Sequence, residues 1–410
     1  MLGRRRALDD ALAEHEGLAA LEARDRAFAR LLVATTLRRL GEIDALIDAR
    51  LTHPLPPRAM RARDALRLGV AQLVFLGTPA HAAVDTAVAP MSGRLATYRG
   101  LVNAVLRAIA RDGVSPRNDA ARLNTPDWLW QSWTGAFGAE TAQRIAEAHL
   151  TEPALDITVK SNPNALADAL GATILPTGTL RRMGGGSVAE LPGYGDGTWW
   201  VQDAAAALPA KMLGDVAGKR VADLCAAPGG KAAQLAAGGA RLTAIDISAK
   251  RVTQLRANLA RLGLAAECRV ADARKPISGE RFDAILLDAP CSGTGTIRRH
   301  PDIARLKSPD DVARLTVVQH DMLDAAAAAL TPGGVMVYAV CSLQQEEGPD
   351  QVEALLARNP LMSRERLRAS EVPTEFVSPS GDLQTLPCHW PEHGGLDGFY
   401  AARLIRAVGS

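Results

Sequence analysis

Hydrophobic residues in the first third of the chain recur mostly at intervals of three and four residues. Between residues 27 and 47 the positions that follow this spacing are Phe28, Leu31, Leu32, Leu40, Ile43 and Ile47. This is the period of a helix with one buried face. After a proline-rich break, similar patterns predict helices over 59–76, 81–89 and 98–111. We therefore predict an all-helical domain at 1–120.

The pattern changes near residue 155, where alternating hydrophobic and polar residues first appear. A helical stretch with three tryptophans precedes this point at 124–151, and glycine, proline and threonine interrupt 162–197. Short elements separated by turn residues predict a mixture of helix and strand. We place a small α+β subdomain, which would act as a linker and bind RNA, at 121–205.

From residue 206 to residue 410, short hydrophobic runs alternate with longer amphipathic stretches. Strands are predicted at 221–224, 242–247, 266–270, 282–288 and 335–340. Helices are predicted at 231–237, 249–262 and 310–330. Alternating strands and helices predict an α/β fold with a doubly wound, mostly parallel, Rossmann-like sheet. Ligands bind such sheets at the carboxyl ends of the strands.

The composition is typical of a soluble, globular protein. Of the 410 residues, 47% are hydrophobic and 22% are charged, and no run approaches the ~18–20 apolar residues of a membrane helix. The N-terminal sequence MLGRRRALDD lacks the apolar segment of a secretory signal. Five widely spaced cysteines without a CxxC pair predict free thiols rather than a metal site or disulfides. We therefore expect a cytoplasmic protein without a metal.

Positive charge is concentrated in the predicted helical domain. Residues 1–130 contain 19 arginines, no lysine and 14 acidic residues, a net charge of +5, whereas the whole chain carries +2. Because guanidinium groups match phosphate oxygens, this part of the chain is a candidate RNA-binding surface. The alternative is an arginine-biased composition with a solvated helical surface.

Four aspartates lie at or just after the ends of successive predicted strands: Asp223, Asp246, Asp272 and Asp288. The first strand runs into the turn 225–231, whose glycines permit close approach of the backbone to a ligand and which opens a helix. A carboxylate after the second strand suits a ribose diol, and one after the third suits an adenine amino group. Helix capping could explain any single aspartate, but it explains all four less well. The pattern therefore predicts a cofactor that contains a nucleoside.

Two cysteines follow the last two predicted strands, at the same edge of the sheet. Cys291 closes the sequence Asp288-Ala-Pro-Cys291, and Cys341 follows residues 335–340. Each could be a small buried hydrophobe, but two of them beside a carboxylate favour a reactive pair. Methyl transfer to carbon 5 of cytosine is one reaction that needs such a pair. In that reaction a thiolate adds to carbon 6 and thereby activates carbon 5 toward the methyl group of S-adenosylmethionine. A nearby acid, Asp288, would stabilise the adduct near ring N3 and N4.

The chain resembles the RsmB/Sun (Fmu) family of 16S ribosomal RNA cytosine-5 methyltransferases over nearly its whole length. The matching segments are DLCAAPGGK at 223–231, AIDIS at 244–248, ADAR at 271–274, LLDAPCSGTGTIRRHPDI at 286–303, YAVCSLQQEE at 338–347 and DGFYAARL at 397–404. Two further segments, LRLGVAQLVFLG at 66–77 and GLVNAVLRAIAR at 100–111, resemble the NusB-like RNA-binding domain of that family.

The resemblance implies roles for individual residues. The residues assigned to binding S-adenosyl-L-methionine are Cys225, Ala226, Ala227, Pro228, Gly229, Gly230, Lys231, Asp246, Arg251, Asp272 and Asp288. Cys341 would be the nucleophile, Cys291 would assist product release, and Asp288 would lie between cofactor and base. DNA cytosine methyltransferases use the cysteine of a Pro-Cys pair, so Cys291 is the rival nucleophile. We favour Cys341 because the RNA family requires both cysteines.

The target base must be single-stranded or flipped out of its helix to reach such a site. The candidates for binding the RNA are Pro290, Arg298, Arg299 and His300, the last three through flanking phosphates. The alternative is that Arg298, Arg299 and His300 belong to a capped helix N-terminus that faces solvent.

The expected partner is 16S ribosomal RNA, unassembled or partly assembled, and we expect a monomer. The same chemistry on transfer RNA remains an alternative. So does a NusB-like RNA-binding factor without activity. A nucleotide-dependent oxidoreductase is a further alternative. It would require the sequence GxGxxG after the first strand, where this chain has AAPGGK.

Overall fold

The computed structural model describes residues 3, 5–114, 117–275 and 279–408. These residues form two compact units. Unit 1 comprises the described residues up to Thr151 together with Ile297–Leu306, and unit 2 comprises Glu152–Thr296 and the described residues from Lys307 onward. Within the described ranges, no helix is both long and apolar enough to cross a membrane.

Unit 1 is helical, as the hydrophobic spacing predicts. Its helices before residue 151 are α1 (Leu8–Ala13), α2 (Glu16–Ala19), α3 (Ala23–Arg38), α4 (Leu40–Asp48), α5 (Met60–Val70), α6 (Ala80–Val88), α7 (Arg99–Asp112), α8 (Ala120–Asn124), α9 (Asp127–Phe137) and α10 (Ala139–Ala148). The predicted helix over 59–76 is α5 continued by a π-helical turn at Ala71–Phe75. Ile43 of α4 is fully buried with Leu66 of α5 and Leu106 of α7.

Unit 2 begins with an antiparallel sheet of four short strands in the order β2-β3-β1-β4. Its elements are β1 (Leu155–Val159), α11 (Pro163–Leu170), β2 (Ala172–Ile174), β3 (Leu180–Arg182) and β4 (Trp199–Val201). Ile157, Leu180 and Trp199 form its buried core. This is the mixture of helix and strand that the sequence predicts after residue 155.

The rest of the chain contains the large sheet. Its elements are α12 (Leu208–Lys211), β5 (Arg220–Leu224), α13 (Gly230–Ala237), β6 (Arg241–Asp246), α14 (Ala249–Arg261), β7 (Glu267–Val270), β8 (Phe282–Asp288), α15 (Ile303–Leu306), α16 (Pro309–Ala329), β9 (Leu330–Val340), α17 (Pro349–Arg358), β10 (Met362–Glu365), β11 (Leu383–Thr385) and β12 (Phe399–Arg406). The strand order is β10-β12-β9-β8-β5-β6-β7, and β11 pairs with β12.

Strands β5 to β9 are parallel, and β12 is antiparallel to β9. The predicted mostly parallel, doubly wound sheet is therefore confirmed. Hydrophobic clusters on both faces bury the central strands, which explains why β8 reads as a nearly continuous apolar run. The neighbours of β5 are β6 on one side and β8 on the other, so the chain order reverses at β5. A crevice opens at the carboxyl ends of the strands at such a point.

One segment from the middle of the large-sheet sequence belongs to unit 1. Residues 297–306, which include α15, pack with the helices of unit 1. The backbone N–H of Leu8 donates to Asp302 Oδ2 over 2.9 Å, and Arg305 Nη2 donates to the carbonyl of Asn124 over 2.9 Å. The loop that carries Cys291 therefore continues directly into unit 1.

Candidate active site

A cavity of about 250 Å³ lies at the carboxyl ends of β5, β6, β8 and β9. Its lining includes Cys225, Asp246, Arg251, Asp288, Cys291 and Cys341. These residues come from four different strand ends and one helix, and the parallel arrangement brings them to one edge. The cavity therefore joins the glycine-containing turn to both predicted reactive cysteines.

The turn between β5 and α13 has a backbone shape that depends on particular residues. Cys225 has φ 63° and Gly229 has φ 111°. The positive φ of Gly229 favours glycine there, and a Cβ atom on it would also lie 2.7 Å from Leu255 Cδ1 of α14. The turn is held by Ala226 N, which donates to the carbonyl of Ile245 over 3.0 Å.

Helix α14 also fixes the carbonyl groups of this turn. Asn258 Nδ2 donates to the carbonyl of Pro228 over 2.7 Å, and the guanidinium of Arg251 donates to the carbonyl of Ala227. Gly230 then begins α13. The turn is thus a pre-shaped backbone cradle beside the cavity, which is the arrangement expected of a cofactor loop.

Two buried carboxylates lie at the ends of β5 and β6. Asp223 is 0% exposed, and neither of its oxygens has a hydrogen-bond partner among the described residues. Burial, reinforced by the charge of Asp288, raises the pKa of Asp223 well above its usual range. Asp246 is 2% exposed, and its Oδ1 accepts from the N–H of Ser248 over 3.0 Å. Asp246 Oδ2 lies 3.3 Å from Arg251 Nη1, but it accepts no hydrogen bond from any described residue.

Asp272 differs from Asp246, although both follow strands. Its carboxylate accepts hydrogen bonds from Arg274 Nε and Nη2, the shorter over 2.7 Å. These bonds, with one from the backbone N–H of Arg274, lower the pKa of Asp272 to about 2. Its neighbours Ala271 and Ala273 line the cavity. The carboxylate predicted to contact adenine is thus already engaged by a local arginine.

Ile247 is a residue of the cavity that the sequence reasoning missed. Its side chain is 62% exposed and lines the cavity directly after Asp246. The cavity therefore has an exposed aliphatic side chain beside the buried carboxylate of Asp246. The signal was present in the segment AIDIS, where a hydrophobic residue continues beyond the end of the strand.

Lys231, assigned to the cofactor from the sequence, is directed at Asp288. Its Nζ lies 2.8 Å from Asp288 Oδ2 and 5.1 Å from the centroid of the Phe399 ring. Burial lowers the pKa of Lys231, but the charge and hydrogen bond of Asp288, together with the charge of Cys341, outweigh it and raise that pKa. The ammonium group therefore stays charged, next to Asp288 and electrostatically coupled to Cys341.

The two candidate catalytic cysteines form a close pair. The Sγ atoms of Cys291 and Cys341 lie 3.4 Å apart. The hydrogen bond with Cys341, burial and the nearby negative charges of Cys341 and Glu347 raise the pKa of Cys291 well above its usual range. Cys291 therefore keeps its proton near neutral pH. Burial likewise raises the pKa of Cys225 to about 12, which makes it a poor nucleophile.

The residues predicted to bind RNA lie in different environments. Pro290 lines the cavity. Arg298 is 1% exposed, and its carbonyl accepts from Arg38 Nη2 over 3.0 Å. A guanidinium buried within unit 1 cannot grip a phosphate in solvent, so we correct that assignment. Arg299 is half-buried, and His300 is exposed, with Nδ1 3.6 Å from the carboxylate of Asp9.

A parallel sheet with a cleft at its switch point, a shaped glycine turn and neighbouring carboxylates are features of a Rossmann-like domain that binds a nucleoside-containing cofactor, and the comparison with solved structures places this domain in the methyltransferase class. A solved structure titled methyltransferase homolog protein from Pyrococcus horikoshii superposes with a TM-score of 0.58 and is 25% identical. That match covers 73% of this chain and 98% of the other.

Comparison with known families then specifies the kind of methyltransferase. Residues 210–405 match the family described as 16S rRNA methyltransferase RsmB/F, and residues 2–111 match the NusB family. The ribosomal RNA small subunit methyltransferase B of Thermus thermophilus is 38% identical over 390 residues, covering 93% of this chain and 89% of the relative. The Vibrio cholerae protein of the same name is 35% identical over 404 residues, covering 93% and 90%. The chain therefore belongs to the RsmB/F family of methyltransferases, and the resemblance seen in the sequence is confirmed.

Proposed function

We propose that this protein transfers the methyl group of S-adenosylmethionine to carbon 5 of a cytosine in 16S ribosomal RNA, through a transient bond from Cys341 Sγ to carbon 6. The observation that carries the proposal is the pair of sulfur atoms, 3.4 Å apart, in the cavity that also contains the glycine turn. The names of the relatives support the choice of RNA, which the protein would meet in the cytoplasm.

The residues of the cavity fit the proposed cofactor, which supplies an electrophilic methyl group when bound. Asp246 Oδ2 is paired with Arg251 at 3.3 Å but accepts no hydrogen bond from a described residue, so it can accept one from a ribose hydroxyl. Ile247 offers an exposed apolar surface beside it for the adenine ring. Asp272 is a weaker candidate for contacting adenine because Arg274 occupies its carboxylate.

The unequal surroundings of the two thiols favour Cys341 as the nucleophile. The thiolate is the reactive form of cysteine, and Cys291 retains its proton because its pKa is raised. Cys341 instead interacts electrostatically with the charged ammonium of Lys231. Cys341 would therefore attack carbon 6, while Cys291 donates a hydrogen bond to it.

The same contact suggests how Cys291 helps to release the product. Once Cys341 is bonded to carbon, its hydrogen bond with Cys291, the largest cause of the raised pKa of Cys291, is weakened. Cys291 can then give its proton to water and, as a thiolate, accept the proton from carbon 5. Electrons of that C–H bond re-form the ring double bond, and the Cys341 sulfur leaves as a thiolate. Asp288, held by Lys231, would hydrogen-bond the ring at N3 or N4.

The test is methylation of a 16S ribosomal RNA transcript in vitro, with transfer RNA as the competing substrate and bisulfite sequencing as the readout. We expect 5-methylcytosine at one site in the 16S transcript with the wild-type protein and none with Cys341→Ala. Cys388→Ala, at a half-buried cysteine that does not line this cavity, is the matched control and should retain activity. Methylation by Cys341→Ala, or at another atom of the base, would refute the proposal.

A further inference from the structure

Glu347 is a buried carboxylate between the two loops that carry the cysteines. It is 0% exposed. Its Oε1 accepts from the backbone N–H of Ser292 over 2.8 Å, and its Oε2 accepts from the hydroxyl groups of Ser292 and Ser342, each over 2.5 Å. Each serine directly follows a cysteine, Ser292 after Cys291 and Ser342 after Cys341. One side chain therefore links the residues adjacent to both sulfur atoms.

Other hydrogen bonds join the same two loops. Gly295 N donates to the carbonyl of Cys341 over 3.0 Å, and Leu343 N donates to Thr294 Oγ1 over 3.0 Å. The hydroxyl groups of Ser292 and Ser342 are 3.1 Å apart. The backbone of each cysteine loop is thus tied to the other loop, with Glu347 at the centre.

The environment of Glu347 makes these bonds strong. Gln319 Nε2 is a further donor, 3.3 Å from Oε1. A buried carboxylate is costly unless donors replace its lost water, and bonds to an ionised acceptor are about twice as strong as neutral ones. Loosening this network would let the two loops, and with them the two sulfur atoms, move apart.

We propose that Glu347 is a positioning residue that sets the separation of Cys291 and Cys341 for the methyl-transfer cycle. The expected effect on turnover rests on the proposed function, but the expected effect on the separation of the two sulfur atoms does not. Misplacing a reacting group by about 1 Å can cost roughly 100-fold in rate. Glu347 does not line the cavity, so its removal should impair the chemical steps rather than the binding of cofactor or RNA.

The substitution that isolates this role is Glu347→Gln in the full-length protein. It preserves side-chain volume and one carbonyl acceptor, but it removes the charge that holds four donors, which are Ser292 N, Ser292 Oγ, Ser342 Oγ and Gln319 Nε2. The matched control is Glu346→Gln, which makes the same chemical change at an exposed neighbour. Cys291→Ser serves as the negative control for the thiol measurement.

The first readout is the rate at which dibromobimane bridges Cys291 and Cys341, identified by peptide mass spectrometry. Each thiolate displaces one bromide, and only two sulfurs held close together are bridged. We expect bridging to slow by roughly 10-fold or more in Glu347→Gln if the pair loses its fixed geometry. Bridging should be unchanged in Glu346→Gln.

The second readout is steady-state methylation. We expect kcat to fall by about 100-fold in Glu347→Gln, with KM for RNA and for S-adenosylmethionine within about twofold of wild type. Wild-type bridging in Glu347→Gln overturns the inference, and so does slowed bridging with unchanged kcat. If Glu347→Gln does not fold, Ser342→Ala, which removes one donor and keeps the carboxylate, decides the question by the same criteria. Slowed bridging without cytosine methylation by the wild type would support the geometric role and refute the proposed function.

Discussion

The sulfur atoms of Cys291 and Cys341 lie 3.4 Å apart although 50 positions separate the two residues along the chain. The contact arises because β8 and β9 are adjacent parallel strands, with Asp288 in register with Ala339. Each cysteine follows the carboxyl end of one strand, so both loops leave the sheet at the same place. In the proposed reaction this closeness allows the Cys341 sulfur to add to the base while the Cys291 sulfur accepts the proton from carbon 5.

The first prediction concerns the covalent intermediate. Cys291→Ala should accumulate a protein–RNA adduct that survives denaturing electrophoresis, because attack by Cys341 remains possible while removal of the carbon-5 proton is impaired. The double variant Cys291→Ala/Cys341→Ala should form no adduct. If the single variants Cys341→Ala and Cys291→Ala show the opposite phenotypes, the nucleophile is Cys291 instead.

A second prediction separates the two aspartates that follow strands β6 and β7. Asp246→Ala should raise the Kd for S-adenosylmethionine by about 10–100-fold. This factor corresponds to the roughly 1.5–3 kcal/mol that hydrogen bonds to a charged group contribute. Asp272→Ala should change it by less than about threefold, since Arg274 already occupies that carboxylate. Isothermal titration calorimetry measures both, and equal losses in the two variants would contradict the different roles.

The close approach of two glycines gives a third prediction. A Cβ on Gly295 would lie 2.0 Å from the carbonyl oxygen of Gly398, so Gly295→Ala must displace backbone. We expect a loss of about 1–3 kcal/mol in the free energy of unfolding, as for other overpacked sites. Gly185→Ala is the control, since its Cβ would meet no atom within 4 Å. If the chemical denaturation curves of the two variants coincide, the loop accommodates the added Cβ atom without a loss in the free energy of unfolding, and the prediction is wrong.

The fourth prediction is a dependence of the stability of unit 1 on pH. Burial, followed by the charges of Arg298 and Arg38, lowers the pKa of His149 from 6.5 to about 3. The unfolded chain therefore binds a proton that the folded unit does not, and stability present above pH 6.5 is lost as the pH falls toward 3. At pH 5 the loss should be about 2 kcal/mol relative to pH 7.5.

The substitution that checks this effect is His149→Phe, which retains a ring beside Trp133 but cannot titrate. Hydrogen exchange of the amides in α10 measures the local unfolding free energy. The wild-type protein should lose about 2 kcal/mol more than the variant between pH 7.5 and pH 5. An equal loss in both proteins would show that other groups cause the acid sensitivity.

The sequence was sufficient to predict the central strands of the large sheet and the edge at which their carboxyl ends meet. Strong hydrophobic runs identify β5, β6, β8 and β9, and parallel strands necessarily bring their carboxyl ends together. Asp246, Asp288, Cys291 and Cys341 therefore meet in one cavity because of topology that the strand and helix alternation already implies. The short strands β10 and β11 were not predicted, since segments of three or four residues carry too little periodicity.

Other features depend on contacts that spacing along the chain does not encode. Arg298 reads as a solvent-facing cation beside Arg299, but its segment packs within unit 1 and buries it. In the sequence, Asp272 follows a strand just as Asp246 does, but Arg274, two residues away, forms an ion pair with its carboxylate. Glu347 gave no signal at all, because its significance comes from two serines 55 and 5 positions away.

The course of the chain after Cys291 also limits how the protein can be divided. Ile297 and Ala304 are buried with residues of unit 1, such as Leu37 and Trp133, although they are encoded within the catalytic half. A fragment that starts at Glu152 would leave this ten-residue stretch without its packing partners and would expose the guanidinium of Arg298 and two aliphatic side chains. We therefore expect residues 297–306 to lose their ordered packing in a fragment that lacks the N-terminal helices.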